Sequence, residues 1–476
     1  MNKSHSEIIQ NLKEIVESSD VITDPEILKQ QSLDWVGYRN FERYKGAFRA
    51  IIPIAIVLPQ NESDVVKVLT YLNSHKINCV PKTGKSGSTG GAEAGDPTTV
   101  VLDGSKLNKI LSVDTENMQV TVQCGVPLSL LEQELNKRNL TTGHYPQSLP
   151  MAQMGGLVAT RSTGQFSTLY GGIEDLVIGL KAILPDGTEI KINNVPRRSS
   201  GPDLRSIFVG SEGGLAYITE VTLKLFRYAP QDWWINSFAV KDMQTGLKII
   251  RKIMVEGYKP AVVRLHDLVE ARNSYSSYIQ DNECVLLLVV DGPKSITQAT
   301  GKAIMDIAAE YGVRTLGEAP IRQWLEHRND LCDHMLDNDY LRNDIVFETC
   351  EISANWSEIG LIYDRVINRL NNEIDGAVNV SGHSSHSYVQ GTNIYFMYGF
   401  TAEQDLAKNE EKYFSALQIV MDETLKMGGS IAHHHGIGKY RVRWVKNEHG
   451  SAYSVMDILK KTFDPNGIMN KGTLFA

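Results

Sequence analysis

The chain has 476 residues and a net charge of −8, with 42% hydrophobic and 22% charged residues. These proportions are close to globular averages and exclude wholesale disorder, and the acidic balance excludes a broad nucleic-acid-binding surface. The longest apolar run, about Cys284 to Val290, is far shorter than the roughly 20 residues of a membrane helix, so we expect no transmembrane segment.

At the amino terminus, apolar residues from Ile8 to Val16 recur at helical spacing. This pattern predicts a helical segment within residues 1–48 rather than a signal peptide. The five cysteines are scattered and form no C-x-x-C pair. We therefore expect reduced thiols in a cytoplasmic protein.

Residues 49–226 alternate helical patterns with short β-branched runs, which predicts an α+β domain. Near its end, Pro185-Asp186-Gly187 predicts the turn of a hairpin. From residue 227 to 424, strand-like runs such as CVLLLVV are interleaved with helical segments such as SITQATGKAIMDIAAEYG. This second pattern predicts a domain in which helices cover one face of an antiparallel sheet, followed by a glycine- and histidine-rich segment over residues 425–476.

The most distinctive local feature is the glycine-rich stretch PKTGKSGSTGGA, residues 81–92. Such a density of Gly, Ser and Thr lets backbone amides approach an anion such as a diphosphate. The stretch contains neither the G-x-x-x-x-G-K-[ST] phosphate loop nor the G-x-G-x-x-G dinucleotide fingerprint, which disfavours simple ATPase and NAD interpretations. Residue types alone leave a flexible loop as an open alternative.

This stretch is similar to the P-x-G-G-G-T-G-x-T-G-G-A segment of FAD-linked oxidases with a PCMH-type (vanillyl-alcohol-oxidase-like) flavin domain, with Thr83 and Lys85 in place of glycine. Three further segments match in order, at residues 147–156, 160–163 and 210–213. The resemblance implies an α+β fold with a PCMH-type FAD-binding domain over residues 49–226 and a substrate (cap) domain over 227–424. The segment over 425–476 is then expected to return to the flavin and pack on the FAD domain.

The resemblance also implies which residues contact FAD. They are Lys82, Thr83, Gly84, Lys85, Ser86, Gly87, Ser88, Gln147, Ser148, Leu149, Gly155, Gly156, Thr160, Arg161, Ser162, Thr163, Glu212, Gly213 and Ile218. Covalent members of the superfamily place a His in the first loop or a Cys in the later one. Lys85-Ser86 occupies the first region here and residues 147–163 contain no Cys, so we expect noncovalent FAD.

Three adjacent histidines, His433, His434 and His435, precede Gly436-Ile437-Gly438. Imidazoles act as acid, base or metal ligand near neutral pH, and the glycines permit close approach of a ligand. Consecutive side chains point in different directions, which disfavours one metal bound by all three. A surface or core role for the triplet stays open.

The segment SIAHHHGIGKYR is similar to the signature of alkyldihydroxyacetonephosphate synthases, flavoenzymes that exchange an acyl for an alkoxy group without net redox. The resemblance implies proton-transfer roles for Tyr395 and the three histidines, and substrate-binding roles for Arg264 and Arg342. Lys439, Arg441 and Arg443 would add to a cationic group that favours an anionic substrate, with a salt-bridged surface as the alternative.

A second branch of the family, which oxidises 2-hydroxy acids such as D-lactate and glycolate, holds a metal with H-x-G-D-G-N-x-H and the Glu of E-H-G-x-G. In this chain Tyr395 stands for the second His and His434 stands for the Glu. Because two of three ligands are changed, we expect no metal. His383 and His386, at positions i and i+3, still leave a metal site open.

Residues alone leave two chemistries open: hydride transfer from a CH–OH group to flavin N5, with Tyr395 or a histidine as base, or proton removal beside a carbonyl in a synthase. A base role for Tyr395 would require its pKa to be lowered.

Bacterial FAD-linked oxidoreductases share this architecture, so we expect a dehydrogenase of a small, anionic hydroxy-acid or polyol-type substrate. It would pass electrons to an external acceptor such as an electron-transfer flavoprotein. The alternatives are an alkyl transferase without net redox and an inert flavin-binding protein. Family similarity implies a homodimer.

Overall fold

The computed structural model describes residues 4–330, 332 and 336–475. Its helices and antiparallel strands confirm the α+β class. Among the helices of these ranges, none combines the length and apolar character needed to span a bilayer.

The chain begins with three helices and a small four-stranded sheet of order β1-β2-β4-β3, in which β2, β4 and β3 run parallel. Helix α4 begins where the Asn61 side chain accepts a hydrogen bond from the Asp64 amide. The elements are α1 (His5–Ile15), β1 (Val21–Ile22), α2 (Pro25–Gln31), α3 (Gly37–Tyr44), β2 (Ala55–Val57), α4 (Glu62–Ser74), β3 (Cys79–Lys82) and β4 (Val100–Asp103).

A five-stranded antiparallel sheet of order β5-β6-β10-β8-β9 follows, together with the short pair β7 and β11. Pro185-Asp186-Gly187 connects β8 to β9, and Gly187 has a φ of 90°, so the predicted hairpin is confirmed. The elements are β5 (Ile110–Asp114), β6 (Gln119–Gln123), α5 (Leu128–Asn136), β7 (Leu140–Thr141), α6 (Met154–Ala159), α7 (Ser167–Tyr170), α8 (Ile173–Leu176), β8 (Val177–Ile183), β9 (Glu189–Ile192), α9 (Arg205–Phe208), β10 (Tyr217–Lys224) and β11 (Phe226–Arg227).

The third sheet has seven antiparallel strands in the order β15-β12-β14-β13-β17-β18-β16. Its strands are β12 (Trp234–Val240), β13 (Val262–His266), β14 (Cys284–Val290), β15 (Arg314–Gly317), β16 (Ile345–Asn355), β17 (Ala377–Ser384) and β18 (Gly391–Thr401). The remaining helices are α10 (Met243–Val255), α11 (Leu268–Tyr275), α12 (Lys294–Glu310), α13 (Ala319–His327), α14 (Asp339–Arg342), α15 (Ile359–Glu373), α16 (Leu406–Lys426), α17 (Val442–His449) and α18 (Tyr453–Phe463).

The continuous apolar run of β14 is explained by burial on both faces. Leu286 and Leu288 point into the core formed with α10, α12, α15 and α16. Leu287 and Val289 point to the opposite side, where a smaller core includes Phe166 and other side chains. Because successive strand residues alternate between faces, a strand covered on both sides has no polar positions. The sheet is therefore covered more completely than the sequence pattern predicts.

The carboxyl-terminal segment returns to the first sheet. The amides of Lys439 and Tyr440 donate to the carbonyl of Thr89 in the glycine-rich stretch. Further along, the amide of Cys79 donates to the Ile468 carbonyl at 2.7 Å. These bonds hold the carboxyl-terminal segment against β3 and the glycine-rich stretch.

Candidate active site

A cavity of about 520 Å³ lies where the glycine-rich stretch, the seven-stranded sheet and the histidine segment meet. Its size is typical of sites for small molecules and cofactors. Of the residues predicted to bind FAD, those that line it are Lys82, Thr83, Gly84, Lys85, Ser86, Gly87, Ser88, Gln147, Ser148, Gly155, Gly156, Thr160, Ser162, Thr163, Glu212, Gly213 and Ile218.

Two predicted cofactor residues lie elsewhere. Leu149 packs among apolar side chains of two neighbouring cores. The Arg161 side chain is 63% exposed and its Nε lies 3.3 Å from Glu174 Oε1. Neither residue lines the cavity. The matched segments therefore line the cavity, but not every side chain in them faces it.

The glycine-rich wall fits an anionic cofactor. A Cβ added at Gly91 would meet no atom within 4 Å, and one added at Gly87 would meet only the Asp34 side chain, so this backbone faces open space. Lys85 lies beside it, and burial together with the neighbouring Lys82 lowers the pKa of Lys85 to about 8. The ammonium is therefore still mostly charged at neutral pH, where it would favour a phosphate.

Asp34 anchors the same stretch and was not found from the sequence. Its Oδ2 accepts hydrogen bonds from the amides of Gly90 and Gly91, at 2.8 and 3.0 Å. Burial, reinforced by Glu93, raises the pKa of Asp34 to about 7. No motif marks this residue, because it precedes the flavin-like segments and meets the glycines only in the folded chain.

Glu212 holds the histidine segment against the cofactor wall. Its carboxylate accepts from the amides of Ile437 and Gly438, at 2.6 and 2.8 Å. Gly438 has a φ of 54°, and a Cβ there would lie 2.0 Å from the Thr89 carbonyl oxygen, so only glycine fits. The sequence predicted a cofactor contact for Glu212, and the structure adds this anchoring contact.

Glu351, on β16, organises the histidine triplet. Its Oε1 accepts from the amides of His434 and His435, at 3.0 and 2.7 Å, and its Oε2 lies 2.9 Å from both His435 Nδ1 and Arg441 Nη2. Burial alone would raise the pKa of Glu351, but Arg441 and His435 hold that pKa well below its usual value. The glutamate therefore stays ionised. Its sequence signal was a charged residue within a strand, which it shares with Glu348.

The three histidines have separate environments. His435 and His434 line the cavity, whereas His433 lies behind it, with its Nε2 2.7 Å from the Tyr388 hydroxyl. His433, His434 and the additional residue His386 bring ring nitrogens within 4.8 Å of one another. The rings of His386 and His433 are stacked, with centroids 4.9 Å apart and planes 16° apart. Stacking keeps their in-plane lone pairs from meeting at one point, which disfavours a metal shared by these two rings.

Tyr395 lines the cavity and stacks on His383, with ring centroids 4.8 Å apart. Its hydroxyl donates to Thr349 Oγ1 at 3.1 Å. Burial raises the pKa of Tyr395 above its usual value, and the opposing influence of Arg264 is weaker. This direction is the reverse of the one that a base role requires, so the Tyr395 hydroxyl keeps its proton at neutral pH.

The predicted cations are distributed unevenly. Arg264 lines the cavity, whereas Arg441 pairs with Glu351 and Arg443 lies over the Phe414 ring at 4.1 Å. Lys439 donates to Asn470. Arg342 lies outside the cavity wall, 54% exposed, and its guanidinium pairs with Asp337 and Asp339. The expected cationic group is thus reduced to Arg264 on the cavity wall, and the structure places Arg342 away from it.

Comparison with protein families identifies both halves of the chain. Residues 53–193 match the FAD binding domain model, and residues 230–474 match the model of the FAD linked oxidases, C-terminal domain. FAD is therefore the cofactor, in agreement with the glycine-rich wall described above. The computed structure also resembles a solved alkyldihydroxyacetonephosphate synthase, with a TM-score of 0.83 over 98% of this chain and 86% of that one, at 24% identity.

Related proteins match most of the length of this chain. The uncharacterized FAD-linked oxidoreductase YgcU of Escherichia coli O157:H7 is 47% identical over 100% of this chain and 99% of its own. The alkyldihydroxyacetonephosphate synthase of Caenorhabditis elegans is 28% identical over 89% of this chain and 76% of its own. Glycolate oxidase subunit GlcD of Bacillus subtilis (strain 168) is 24% identical over 89% of each chain.

Proposed function

Because this chain belongs to the family of FAD-linked oxidases, we propose that it is a dehydrogenase that oxidises a CH–OH group of a small, anionic hydroxy-acid or polyol-type substrate. Electrons would leave the flavin for an external acceptor such as an electron-transfer flavoprotein. Relatives such as GlcD support this direction. The observation that carries the proposal is the pairing of His435 with Glu351 on a cavity wall that also presents Arg264.

His435 has the arrangement of a general base. Its Nδ1 faces the ionised Glu351 at 2.9 Å, so the neutral ring has its proton on Nδ1 and its lone pair on Nε2. Since the ring lines the cavity, that lone pair is available to take the proton of a substrate hydroxyl. Glu351 in turn stabilises the imidazolium that forms. Among the three adjacent histidines, we therefore assign the base role to His435.

Two other side chains complete the proposed site. Arg264 would bind the anionic group of the substrate and orient the CH–OH group. Tyr395, protonated because of its burial, would turn its hydroxyl from Thr349 Oγ1 to donate a hydrogen bond to the reacting oxygen. When bound, FAD supplies the hydride acceptor in this chemistry. The protein contributes the base, the anion contact and a cavity that limits access of water.

The direct test is anaerobic mixing of the purified flavoprotein with hydroxy acids, sugar acids and sugar alcohols. A substrate should remove the absorbance of the oxidised flavin. The His435→Asn variant should retain flavin but reduce it far more slowly, whereas His449→Asn, an exposed histidine in α17, serves as the matched control. Unchanged reduction by the His435 variant would remove the base assignment.

We also propose that FAD is held without a covalent bond, since the region that carries the attaching His in covalent members here contains Lys85 and Ser86. Acid precipitation should release all flavin into the supernatant. Flavin that stays with the precipitate would contradict this.

An alkyl transferase is the second candidate, favoured by 28% identity to a synthase along most of the chain. His435 and the protonated Tyr395 would serve there as base and acid beside a carbonyl. This function predicts turnover of an acylated dihydroxyacetone phosphate and an alcohol to an ether and a free carboxylic acid, with no net flavin reduction. The transferase would be favoured over the dehydrogenase if the ether product forms and no hydroxy acid reduces the flavin.

A further inference from the structure

We infer that Glu270 is a positioning residue for substrate recognition: it fixes His266 and His383 in one tautomer, so that Arg264 presents its outer edge to an anion. This inference rests on the proposed function only in taking Arg264 as the anion contact. It concerns a buried cluster at the base of the cavity, formed by Arg264, His266, Glu270 and His383.

Glu270 lies in α11 and contacts two histidines from different strands. His266 Nδ1, at the end of β13, lies 2.6 Å from Glu270 Oε2. His383 Nδ1, on β17, lies 2.8 Å from Oε1. Glu270 and the two rings are all buried. One carboxylate therefore sets the position of two imidazoles that the pairing of β13 with β17 brings side by side.

The other nitrogen of each ring faces Arg264. Arg264 Nε donates to His266 Nε2 at 3.1 Å, and Nη2 lies 3.0 Å from His383 Nε2. Guanidinium groups are donors only, so both Nε2 atoms must accept and carry no proton. The protons of the neutral rings therefore reside on Nδ1, where they are donated to Glu270. The hydrogen-bond pattern permits one tautomer for each ring.

The charge states agree with this tautomer. Burial, assisted by Arg264, lowers the pKa of His383 to about 4, and burial also lowers the pKa of His266. Burial opposes ionisation of Glu270, but the two histidines hold its pKa well below the usual value. At neutral pH the cluster thus contains one cation, one anion and two neutral rings.

This arrangement leaves Arg264 able to bind an anion. The two histidines occupy the edge of the guanidinium formed by Nε and Nη2, and Nη1 donates to none of the described residues. The remaining Nη1 and Nη2 hydrogens form the planar fork that matches a carboxylate or phosphate. A carboxylate placed directly on Arg264 would occupy that fork and neutralise it. Placing Glu270 behind two neutral imidazoles orients the arginine without blocking its fork. On another side, the Arg264 Cζ atom lies 5.5 Å from the centroid of the Trp324 ring.

The same contacts argue against a metal in this cluster, although His266, Glu270 and His383 bring ligand atoms within 4.8 Å of one another. Both nitrogens of each ring are already used, one by the carboxylate and one by the guanidinium. A cation bound between the rings would also lie beside the Arg264 charge. The cluster therefore positions Arg264 and does not bind a metal. This explains the role of His383, which the sequence left open as a metal ligand.

The test compares Glu270→Gln with a buried control, Glu132→Gln. An amide at position 270 accepts from one Nδ1–H but directs its own N–H at the other ring, which must then move its proton to Nε2 and oppose Arg264. Glu132 bonds chiefly to the hydroxyls of Thr141, Thr142 and Tyr145, which can reverse their roles, and it lies outside the cavity wall. Both variants remove one buried carboxylate, but only the first disturbs the arginine.

The readout is the binding of oxalate and of inorganic phosphate to the flavin-loaded protein. It is measured as a change in the flavin absorbance spectrum and needs no turnover. We expect Glu270→Gln to weaken anion binding at least about tenfold, Arg264→Ala to abolish it and Glu132→Gln to leave it unchanged. With a substrate in hand, KM should rise for the anion while kcat changes little, and an uncharged analogue should be unaffected. Equal losses for charged and uncharged compounds, or wild-type protein that binds neither anion, would overturn the proposal.

A spectroscopic measurement keeps the inference testable if the Glu270 variant does not fold. In wild-type protein labelled with ¹⁵N-histidine, the signals of His266 and His383 are assigned as those that disappear in the His266→Gln and His383→Gln variants. Both signals should be those of Nδ1–H tautomers. Nε2–H tautomers for either ring would overturn the inference. Failure of every hydroxy acid to reduce the flavin would count against the dehydrogenase function, while the tautomers and anion binding would still decide the role of Glu270.

Discussion

The carboxylate of Glu351 offers the sharpest test of the proposed site, through the substitution Glu351→Gln. Every described partner of this carboxylate is a donor: two backbone amides, the Arg441 guanidinium and His435 Nδ1. Whichever way the amide is turned, its N–H group faces donors. The variant also leaves Arg441, 2% exposed, as a buried charge without its carboxylate.

Breaking a buried ion pair in this way costs about 3 to 5 kcal/mol of folding free energy, a large part of the roughly 5 to 15 kcal/mol typical of whole proteins. His435 can relieve one clash by accepting the amide proton at Nδ1, but its own proton then moves to Nε2. The cavity loses its base, so the rate of flavin reduction should fall by about 100- to 10,000-fold. Stability and activity should thus fall together, for separate reasons.

Urea unfolding of the flavin-loaded protein and anaerobic stopped-flow reduction measure the two effects. The double variant Glu351→Gln/Arg441→Met removes the unpaired charge, so it should recover at least half of the lost stability but none of the activity. Because the pKa of Glu351 is held below its usual value, its contribution is complete above about pH 4.5 and is lost only in more acidic solution. The reasoning would be refuted if the stability losses of Glu351→Gln and Arg441→Met simply added in the double variant. It would also be refuted if the stability loss of Glu351→Gln varied between about pH 6 and about pH 8.

Three further predictions concern separate parts of the site. Asp34→Asn keeps the acceptor for two glycine amides and removes a carboxyl whose pKa burial raises to about 7. Wild-type protein should therefore lose stability relative to the variant as pH rises from about 3 to about 8, by about 4 kcal/mol in urea unfolding. A constant difference across that range would contradict this. Gly438→Ala should release FAD, because its Cβ would overlap the Thr89 carbonyl, whereas Gly450→Ala, at a similar φ but in open space, should retain FAD in ultrafiltration. Tyr395→Phe should slow flavin reduction without removing an ionisation near neutral pH; loss of such an ionisation would restore Tyr395 as a base.

Local patterns predicted the elements well, because the physics that decides them lies within a few residues. The Pro185-Asp186-Gly187 turn and the buried strand at Cys284–Val290 are both in place. The pattern could not show what covers each face of a strand. For β14, the second face is covered by residues including Phe166, more than 100 positions away in sequence, and periodicity carries no information on such contacts.

Side-chain direction was the weaker part of the prediction. Arg342 is captured by Asp337 and Asp339, acids that lie within five residues of it, and these local pairs hold it at the surface. Glu351 and Glu270, in contrast, take partners that are about 80 to 115 residues away. A carboxylate in a strand or at a helix start gives no sign of such partners until the strands pair. The sequence motif identified segments that line the cavity, and long-range carboxylates position the side chains around it.

The histidine triplet shows how these carboxylates order an irregular segment. Residues 433–438 belong to neither helix nor strand, so their amides need acceptors from elsewhere. Glu351 accepts the amides of His434 and His435, and Glu212 accepts those of Ile437 and Gly438. Glu351 lies on β16 and Glu212 in the turn before β10, and together they hold the segment. Three adjacent imidazoles therefore point into three environments, and only the ring beside Glu351 combines a charged partner on Nδ1 with a place on the cavity wall.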